Sequence, residues 1–493
     1  MIPEMLAAFE DDATPAVAGR FATLAADQYT TTRDGAGRVS TALTPDALAA
    51  RFDEPIPMGM RSLDTVLARI DRDVLADANH LLHPMYVGHQ VSAPLPAAAW
   101  TEIVVAALNN SLAVWEMSPT LTMLERRVIR WMCELAGYGP DAGGTFTSGG
   151  TEATFSALLA ARAELMPDAW ERGMEGPLPV VLCSEHAHYA VTRAIGEMGL
   201  GMRNAITVAA DTDFRMDPAA LAATVEHVLA GGRRVMAVVA TAGQTATGAF
   251  DDLDAIADVC DAHGLWLHVD GAHGASALLS PAHRGRLTGL ARARSLAWDP
   301  HKMMLMPLSA GMVLVRDRRD LRAAFTQRAP YLFHGAPDES PDLGTSSFLC
   351  SRRGDALKVW VALQRYGADG IGALYEHLCA GAQTLHDRML ARGDFAPVHA
   401  PMSNILCFRW VGADGRTLDA ATADRITDLV RARYNAAGDG WLTVTTLGGQ
   451  RVLRVTIMNP RTSAAHLDTL LDGLARVGAH AIEELHASSA ASA

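Results

Sequence analysis

Cysteine is scarce in this chain, and its spacing argues against disulfides and a zinc site. Only six cysteines occur in 493 residues, and no two of them form a C-x-x-C pair. Most of them lie in apolar runs, which is typical of reduced, buried thiols. Neither a disulfide framework nor a bound metal is therefore expected.

Long basic clusters and long hydrophobic runs are also missing. The net charge of −13 and the pI of about 5.7 argue against nucleic acid or an anionic membrane as a partner. The most hydrophobic stretch, around 103–114, is interrupted by Asn109 and Asn110 and is too short to span a bilayer. The acidic run Glu10-Asp11-Asp12 stands where a signal peptide would be apolar. We therefore expect a cytoplasmic enzyme.

Between about residues 130 and 320, apolar strand-like runs alternate with helical patterns. A chain of 493 residues with 49% hydrophobic content is long enough for two or three domains. Alternation of buried strands with helices predicts an α/β fold with a mostly parallel sheet covered on both faces. The predicted strands are Pro179–Cys183, Val235–Thr241, Leu265–Asp270, Ser295–Trp298 and Gly311–Val315.

The pattern changes after about residue 375. A helix near 378–391 precedes three strands, near 404–410, 441–446 and 451–457, and a closing helix begins at Ser463. This order predicts a smaller α+β unit. We therefore divide the chain into an N-terminal helical segment (1–85), a large α/β domain (86–372) and a small C-terminal α+β domain (373–493).

Two residues at the ends of successive predicted strands form the most informative pair. Asp270 ends the strand that begins at Leu265, and Lys302 follows the next strand in the sequence Asp-Pro-His-Lys. An amine and a carboxylate in this arrangement suit pyridoxal 5′-phosphate (PLP). The lysine can form a Schiff base with the cofactor aldehyde, and the aspartate can keep the pyridine nitrogen protonated. Taken singly, the two residues have a simpler interpretation as a solvated lysine and a helix cap.

Three further strand-end loops carry residues that suit the same cofactor. The turn Gly149-Gly150-Thr151 precedes a helix, whose free N–H groups can bind a phosphate. His188 could stack on the pyridine ring, with His186 as a rival, and Thr245 could hydrogen-bond near the ring oxygen. Alone, each has a structural explanation: a capped loop, a structural histidine or a turn threonine. Because open α/β sheets bind ligands at the carboxyl ends of their strands, the coincidence of five such loops favours PLP.

These segments resemble the PLP-dependent group II amino-acid decarboxylases. That fold-type I family includes the glutamate, aromatic amino-acid, histidine and cysteine-sulfinate enzymes. The similarity runs from about residue 83 to 367 and is weaker in the C-terminal third. The matching stretches are Ser148–Ala153, Ser184–His188, Thr241–Thr245, His268–Ala272 and Asp299–Lys302. The resemblance implies a mostly parallel seven-stranded sheet, PLP as cofactor, an amino-acid substrate and a homodimer with its active site at the interface.

The resemblance also assigns roles to individual residues. Lys302 would be the Schiff-base lysine, Asp270 the partner of the pyridine nitrogen, and His188 the residue stacked on the ring. Arg352 would receive the substrate α-carboxylate, since a guanidinium fork meets a carboxylate in two parallel bonds. The rival interpretation of Arg352 is a surface arginine at the start of a helix. The implied cofactor-binding set is Gly150, Thr151, His188, Thr245, Asp270, Ala272, His301 and Lys302.

The sequence departs from the family pattern in two places. The family's mobile loop usually carries a tyrosine that protonates the intermediate, but residues 334–347 contain none, and Pro341 falls near its expected place. His334 is a possible substitute as the catalytic acid, and Tyr331 lies just upstream. In the segment 83–94, which would help to line the substrate pocket, His89 and Gln90 could bind a polar or acidic side chain or be structural.

The predicted function is PLP-dependent decarboxylation of an L-amino acid to the amine and CO₂. The predicted catalytic residues are Lys302, His188, Asp270, Arg352 and His334. Because the loop tyrosine is missing, a decarboxylating aldehyde synthase or a decarboxylation-dependent transaminase is the alternative. A PLP-binding protein without turnover is a further rival, which the complete set of Lys302, Asp270 and His188 argues against.

Overall fold

The fold alternates helices and strands over most of its length. The computed structural model describes residues 2–325, 329, 331–333, 341–412 and 419–491. The α-helices are α1 (Ile2–Asp12), α2 (Pro15–Arg33), α3 (Pro45–Ala49), α4 (Leu63–Arg69), α5 (Pro96–Leu108), α6 (Pro119–Leu135), α7 (Gly150–Leu165), α8 (Ala169–Arg172), α9 (Ala190–Glu197), α10 (Pro218–Ala230), α11 (Leu253–His263), α12 (Arg319–Ala324), α13 (Ala356–Arg392), α14 (Ala420–Ala437) and α15 (Ala464–Ala491). Helix α13 is interrupted at Gly367, where φ is 70°. Within these described ranges, no helix has the length and hydrophobicity needed to cross a bilayer.

The strands form two sheets. They are β1 (Gly143–Thr147), β2 (Val180–Ser184), β3 (Ala205–Val208), β4 (Val235–Thr241), β5 (Trp266–Asp270), β6 (Ser295–Trp298), β7 (Gly311–Val315), β8 (Phe395–Pro397), β9 (Ile405–Trp410), β10 (Thr443–Leu447) and β11 (Gln450–Thr456). The larger sheet has seven strands in the order β1-β7-β6-β5-β4-β2-β3, and the smaller has four in the order β10-β11-β9-β8.

The larger sheet confirms the predicted fold class. Strand β7 runs antiparallel to its neighbours β1 and β6, whereas the pairs from β6 across to β3 are parallel. All residues of β2, β4, β5, β6 and β7 are buried, as expected for strands covered by helices on both faces. Parallel strands place their carboxyl ends at one edge of the sheet, and the loops that follow β4, β5 and β6 therefore meet there.

The chain divides into two compact units. The larger comprises Gln90–His386 and Val398–Cys407 and contains the seven-stranded sheet. The other comprises Met1–His89, Asp387–Pro397 and Phe408–Ala493, so it combines the N-terminal helices with most of the C-terminal third. The three-part division that we drew from the sequence stays a prediction.

Candidate functional site

A cavity of about 340 Å³ opens in the larger unit at the carboxyl ends of the parallel strands. Its volume is at the lower end of the range for sites that bind small molecules and cofactors. Its walls are formed by the loops that follow β1, β2, β4, β5 and β6. The lining residues are Gln90, Ser148, Gly149, Gly150, Thr151, His188, Thr241, Gly243, Thr245, Asp270, Ala272, His273, Asp299, His301, Lys302 and Leu308.

The structure brings together all the residues that the sequence analysis assigned to the cofactor. Gly150, Thr151, His188, Thr245, Asp270, Ala272, His301 and Lys302 line this one cavity. They come from five separate loops spread over more than 150 positions of the chain. Their meeting follows from the topology, because each loop leaves the same edge of the sheet. What each residue does to a bound cofactor stays a prediction.

Asp299 is the main site residue to which the sequence analysis gave no role. Its Oδ2 lies 3.1 Å from Lys302 Nζ and 3.4 Å from His301 Nε2, and it accepts a 3.0 Å hydrogen bond from the N–H of Gly150. Burial alone would raise the pKa of Asp299, but Lys302 and His301 outweigh burial and hold that pKa at about 2. The available signal was its position within the Asp-Pro-His-Lys motif, three residues before Lys302.

Two histidines in the cavity wall have a defined tautomer. His188 Nδ1 accepts from the N–H of Ala190 at 3.2 Å, and His301 Nδ1 accepts from the N–H of Ala310 at 3.1 Å. A ring nitrogen that accepts a hydrogen bond carries no proton, so both rings carry their proton on Nε2. Burial lowers the pKa of His188, with Lys302 acting in the same direction against the nearby carboxylates. His188 is therefore a neutral donor at physiological pH.

Asp270 is the last residue of the buried strand β5. Its Oδ1 accepts from the N–H of Ala272 at 3.2 Å, and the residue is only 7% exposed. Two positions earlier on β5, His268 Nδ1 lies 2.9 Å from Ser295 Oγ, which also accepts from Trp266 Nε1 at 2.9 Å. Residues 266, 268 and 270 point to the same face of the strand. The side chain of Asp270 therefore shares one face of β5 with Trp266 and His268.

The cavity fits PLP. The turn that leads into α7 and the first two residues of that helix contribute Ser148 to Thr151 to the wall. N–H groups at a helix start have no partner within the helix. Among the described residues, Thr241 Oγ1 and Gln90 Nε2 are buried in the wall without a hydrogen-bond partner. A Cβ at Gly150 would lie 2.8 Å from Ala272 Cβ, so glycine keeps this space open. An anion site, an amine, a carboxylate and free polar groups are what the cofactor requires.

Arg352 does not line the cavity. Its guanidinium donates to both carboxylate oxygens of Glu125, at 2.7 and 2.6 Å, and to Thr145 Oγ1 at 3.0 Å. The two charged side chains are only 6% and 1% exposed. The fork that was predicted to receive a substrate carboxylate is therefore occupied by a carboxylate of the protein.

The other predicted site residues differ in their placement. His334 lies outside the described residues. Tyr331 is 83% exposed, and Pro341 lines a second cavity beside α6 and the start of β1. His89 packs against Trp441 with ring centroids 4.8 Å apart, whereas Gln90 lines the main cavity.

Comparison with known proteins identifies the family. Residues 45–411 match the pyridoxal-dependent decarboxylase conserved domain. The chain is 36% identical over 443 residues to L-2,4-diaminobutyrate decarboxylase of Rhizobium meliloti (strain 1021), covering 88% of this chain and 86% of that protein. It is 31% identical over 444 residues to cysteine sulfinic acid decarboxylase of Mus musculus, covering 88% and 90%. The structure of mouse CSAD in apo form matches with a TM-score of 0.86 and 29% identity, covering 93% of this chain and 99% of that one. The chain therefore belongs to the pyridoxal-dependent decarboxylase family and is a PLP-dependent carboxy-lyase that acts on an amino acid.

Proposed function

We propose that Lys302, Asp270 and His188 carry the decarboxylation of an L-amino acid to its amine and CO₂ in this cavity. The observation that carries the proposal is the placement of the Lys302 amine and the Asp270 carboxylate in the wall of one cavity. Asp270 is the last residue of β5, and Lys302 follows the neighbouring strand β6. Six further residues that the sequence assigned to the cofactor line the same space.

Each proposed site residue has a role that follows from its chemistry. PLP, when bound, supplies a ring that takes up the electrons of the broken carbon–carbon bond. Lys302 bonds to the cofactor through Nζ, and Asp270 holds a proton on the pyridine nitrogen. His188 presents a flat, neutral ring with a proton on Nε2. Arg352 as receiver of the substrate carboxylate stays a prediction, for which Glu125 would have to release the guanidinium.

Phosphate binding falls to the first turn of α7. Gly150, Thr151 and the Nε2–H of His301 are the proposed ligands, and Thr245 is the proposed partner of the ring oxygen. Because the N–H of Gly150 already donates to Asp299 and that of Ser148 to Glu152 Oε2, we expect Thr151 to provide the main backbone donor.

The names of the relatives suggest two substrates of opposite side-chain charge. L-2,4-Diaminobutyrate is the substrate in the name of the Rhizobium protein, and cysteine sulfinate is that of the mouse protein. The side-chain amide of Gln90, whose Nε2 has no hydrogen-bond partner among the described residues, suits either charge by its chemistry, since an amide carries both a donor and an acceptor. We propose L-2,4-diaminobutyrate as the main substrate, because that relative is the more similar, with cysteine sulfinate as the comparison.

A labelling experiment tests the site directly. Borohydride reduction of the yellow holoenzyme should fix the pyridoxyl group to Lys302, and peptide mapping should find it there. The built-in control is Lys358, whose buried Nζ is paired with Glu102 at 2.7 Å and Asp355 at 3.0 Å, outside the cavity. An adduct on Lys358 would show that the site is wrong. Release of CO₂ from the two candidate amino acids, lost in Lys302→Ala, then tests the activity.

We also propose that the enzyme is a cytoplasmic homodimer with its active site at the interface. The family resemblance supports this arrangement. The exposed apolar side chains of α5 support it as well, since Ile103, Val104 and Leu108 are each about half exposed.

A further inference from the structure

The carboxylate of Asp299 contacts three nitrogen atoms in the cavity wall. The same oxygen, Oδ2, contacts the Lys302 ammonium, the Nε2 of His301 and the N–H of Gly150 at the start of α7. Its side chain is 2% exposed, so water does not screen the charge. Among the described residues, Asp299 is the one carboxylate in ion-pair contact with Lys302 Nζ.

We propose that Asp299 is a positioning residue that acts as the counter-ion of Lys302 whenever the lysine amine is free, and so favours its release from the cofactor. The inference rests on the proposed bond between Lys302 and PLP. It adds a specific role for a residue beyond the set that holds the cofactor.

The negative charge of Asp299 acts in the step in which an incoming amine replaces Lys302 on the cofactor. When an incoming amine replaces Lys302, the nitrogen of the incoming amine forms a double bond to the cofactor carbon, and the bond from that carbon to Lys302 Nζ breaks. The lysine leaves as an amine and takes up the proton that the incoming ammonium gave up. The resulting cation is 3.1 Å from Asp299 Oδ2 in this structure. Because Asp299 stabilises that cation, it shifts the equilibrium from the lysine-bound cofactor towards the substrate-bound cofactor.

The other charged and titratable groups around the exchange are Asp270, His188, His273 and His301. None of the three histidines can supply an opposite charge to the ammonium, since an imidazole is either neutral or cationic. Asp270 accepts from the N–H of Ala272 and makes no ion pair with Nζ within the described structure. Asp299 is therefore the group whose removal should change the charge balance at the free amine.

Replacing Asp299 by asparagine removes the charge of the side chain and keeps its shape. The amide oxygen of Asp299→Asn can still accept from the N–H of Gly150, but the side chain carries no charge. Asp320→Asn is the matched control, because Asp320 is also a largely buried carboxylate paired with a cation, Arg294, at 2.9 Å outside the cavity. Both changes remove one charge and no heavy atom.

The experiment measures displacement of Lys302 by hydroxylamine in the holoenzyme. At each hydroxylamine concentration, borohydride fixes the remaining lysine–cofactor bond, and mass spectrometry gives the fraction of chains labelled on Lys302. At neutral pH, Asp299→Asn should need about tenfold more hydroxylamine than wild type for half displacement, because the freed ammonium loses an opposite charge 3.1 Å away. The gap should shrink at alkaline pH, where the freed amine is uncharged and gains nothing from Asp299. Ionisation of hydroxylamine itself cancels in the ratio.

The outcomes separate this inference from the proposed function. Asp320→Asn should behave like wild type at every pH. Equal half-displacement of wild type and Asp299→Asn at neutral pH would overturn the inference, as would a gap that does not change with pH. If Asp299→Asn and Asp299→Ser both fold but take up no cofactor, Asp299 is needed for binding itself, and the inference also fails. A label found away from Lys302 would instead overturn the proposed site.

Discussion

At the scale of single residues, three carboxylates near the sheet edge have different partners and therefore different roles. Asp270 accepts from a backbone N–H, Asp299 pairs with Lys302, and Glu125 binds Arg352. A carboxylate without a protein cation is free to pair with a cationic group of a ligand, whereas one paired with a buried arginine is not. This difference supports Asp270 as the partner of the pyridine nitrogen.

Replacing Asp270 tests that role. Asp270→Ala should retain part of the PLP but lose about a hundredfold or more in turnover, because an unprotonated pyridine is a poor electron sink. Asp270→Glu should lose less, since it keeps a carboxylate. CO₂ release at saturating cofactor measures both variants. An alanine variant with near wild-type turnover would rule out the electron-sink role.

Replacing Arg352 distinguishes its two interpretations. If the pair with Glu125 is structural, Arg352→Met should lower the free energy of unfolding by about 3 kcal/mol or more, because Glu125 is left buried and uncompensated. Arg352→Met with Glu125→Leu should recover much of that loss. The neighbouring Arg353, which is 52% exposed, is the control, and Arg353→Met should change stability little. Urea unfolding gives these values. A raised KM with unchanged stability would instead support contact with the substrate.

At the scale of elements, the buried strands were predictable and the edge strands were not. The predicted bounds of β4, β6 and β7 agree with the structure, because fully buried strands are continuous apolar runs. Strands β1 and β3 stand at the two edges of the sheet and were not predicted. The first begins with two glycines, and the second is only partly buried.

The same distinction holds for the site. Residues after buried strands could be placed from the sequence, since topology alone brings their loops to one edge. The partner of Arg352 could not be predicted from the sequence, because Glu125 is 227 positions away and the contact depends on how α6 packs. Asp299 was visible in its motif, but its three contacts exist only in the folded wall.

Strand β5 should make the protein sensitive to acid. Burial lowers the pKa of His268 from 6.5 to about 4. Between these values the unfolded chain binds the proton more readily, so the stability from neutral His268 is present above about pH 6.5 and lost as pH falls towards 4. The loss is about 3 kcal/mol at most. His268→Gln should therefore lose less stability over this range in urea unfolding, whereas His263→Gln, at an exposed position on α11, should follow wild type. Parallel curves for all three would contradict the prediction.

The loop 334–347 should control the fate of the intermediate. Because it lacks the tyrosine acid, we expect His334, Tyr331, His188 or a water to protonate the product carbon, with some abortive transamination in the wild type, and we test His334 first. His334→Phe should raise the ratio of pyridoxamine phosphate and aldehyde to amine and leave PLP binding nearly intact. Tyr331→Phe is the matched comparison. An unchanged ratio in His334→Phe would show that another acid is used.

At the scale of the whole molecule, the net charge opposes self-association of the chain, whereas an exposed apolar face favours it. A net charge of −13 opposes association of the chains, yet α5 exposes a row of apolar side chains. Val104 and Leu108 are four positions apart and so lie on one face of the helix, where they are 49% and 48% exposed. A clustered apolar face on a charged protein is typical of an interface.

That face should hold two copies of the chain together. Val104→Arg with Leu108→Arg should convert a dimer to a monomer in light scattering, because each copy would bring two cations into a desolvated contact. Activity per chain should fall by about tenfold or more, since the family resemblance places the active site at the interface. Leu390→Arg is the control for adding charge at an exposed leucine, because Leu390 is 62% exposed on α13. It should leave both the mass and the activity unchanged. A wild-type protein that is monomeric and fully active at assay concentrations would refute the dimer, and a stable dimer in the double variant would move the interface away from α5.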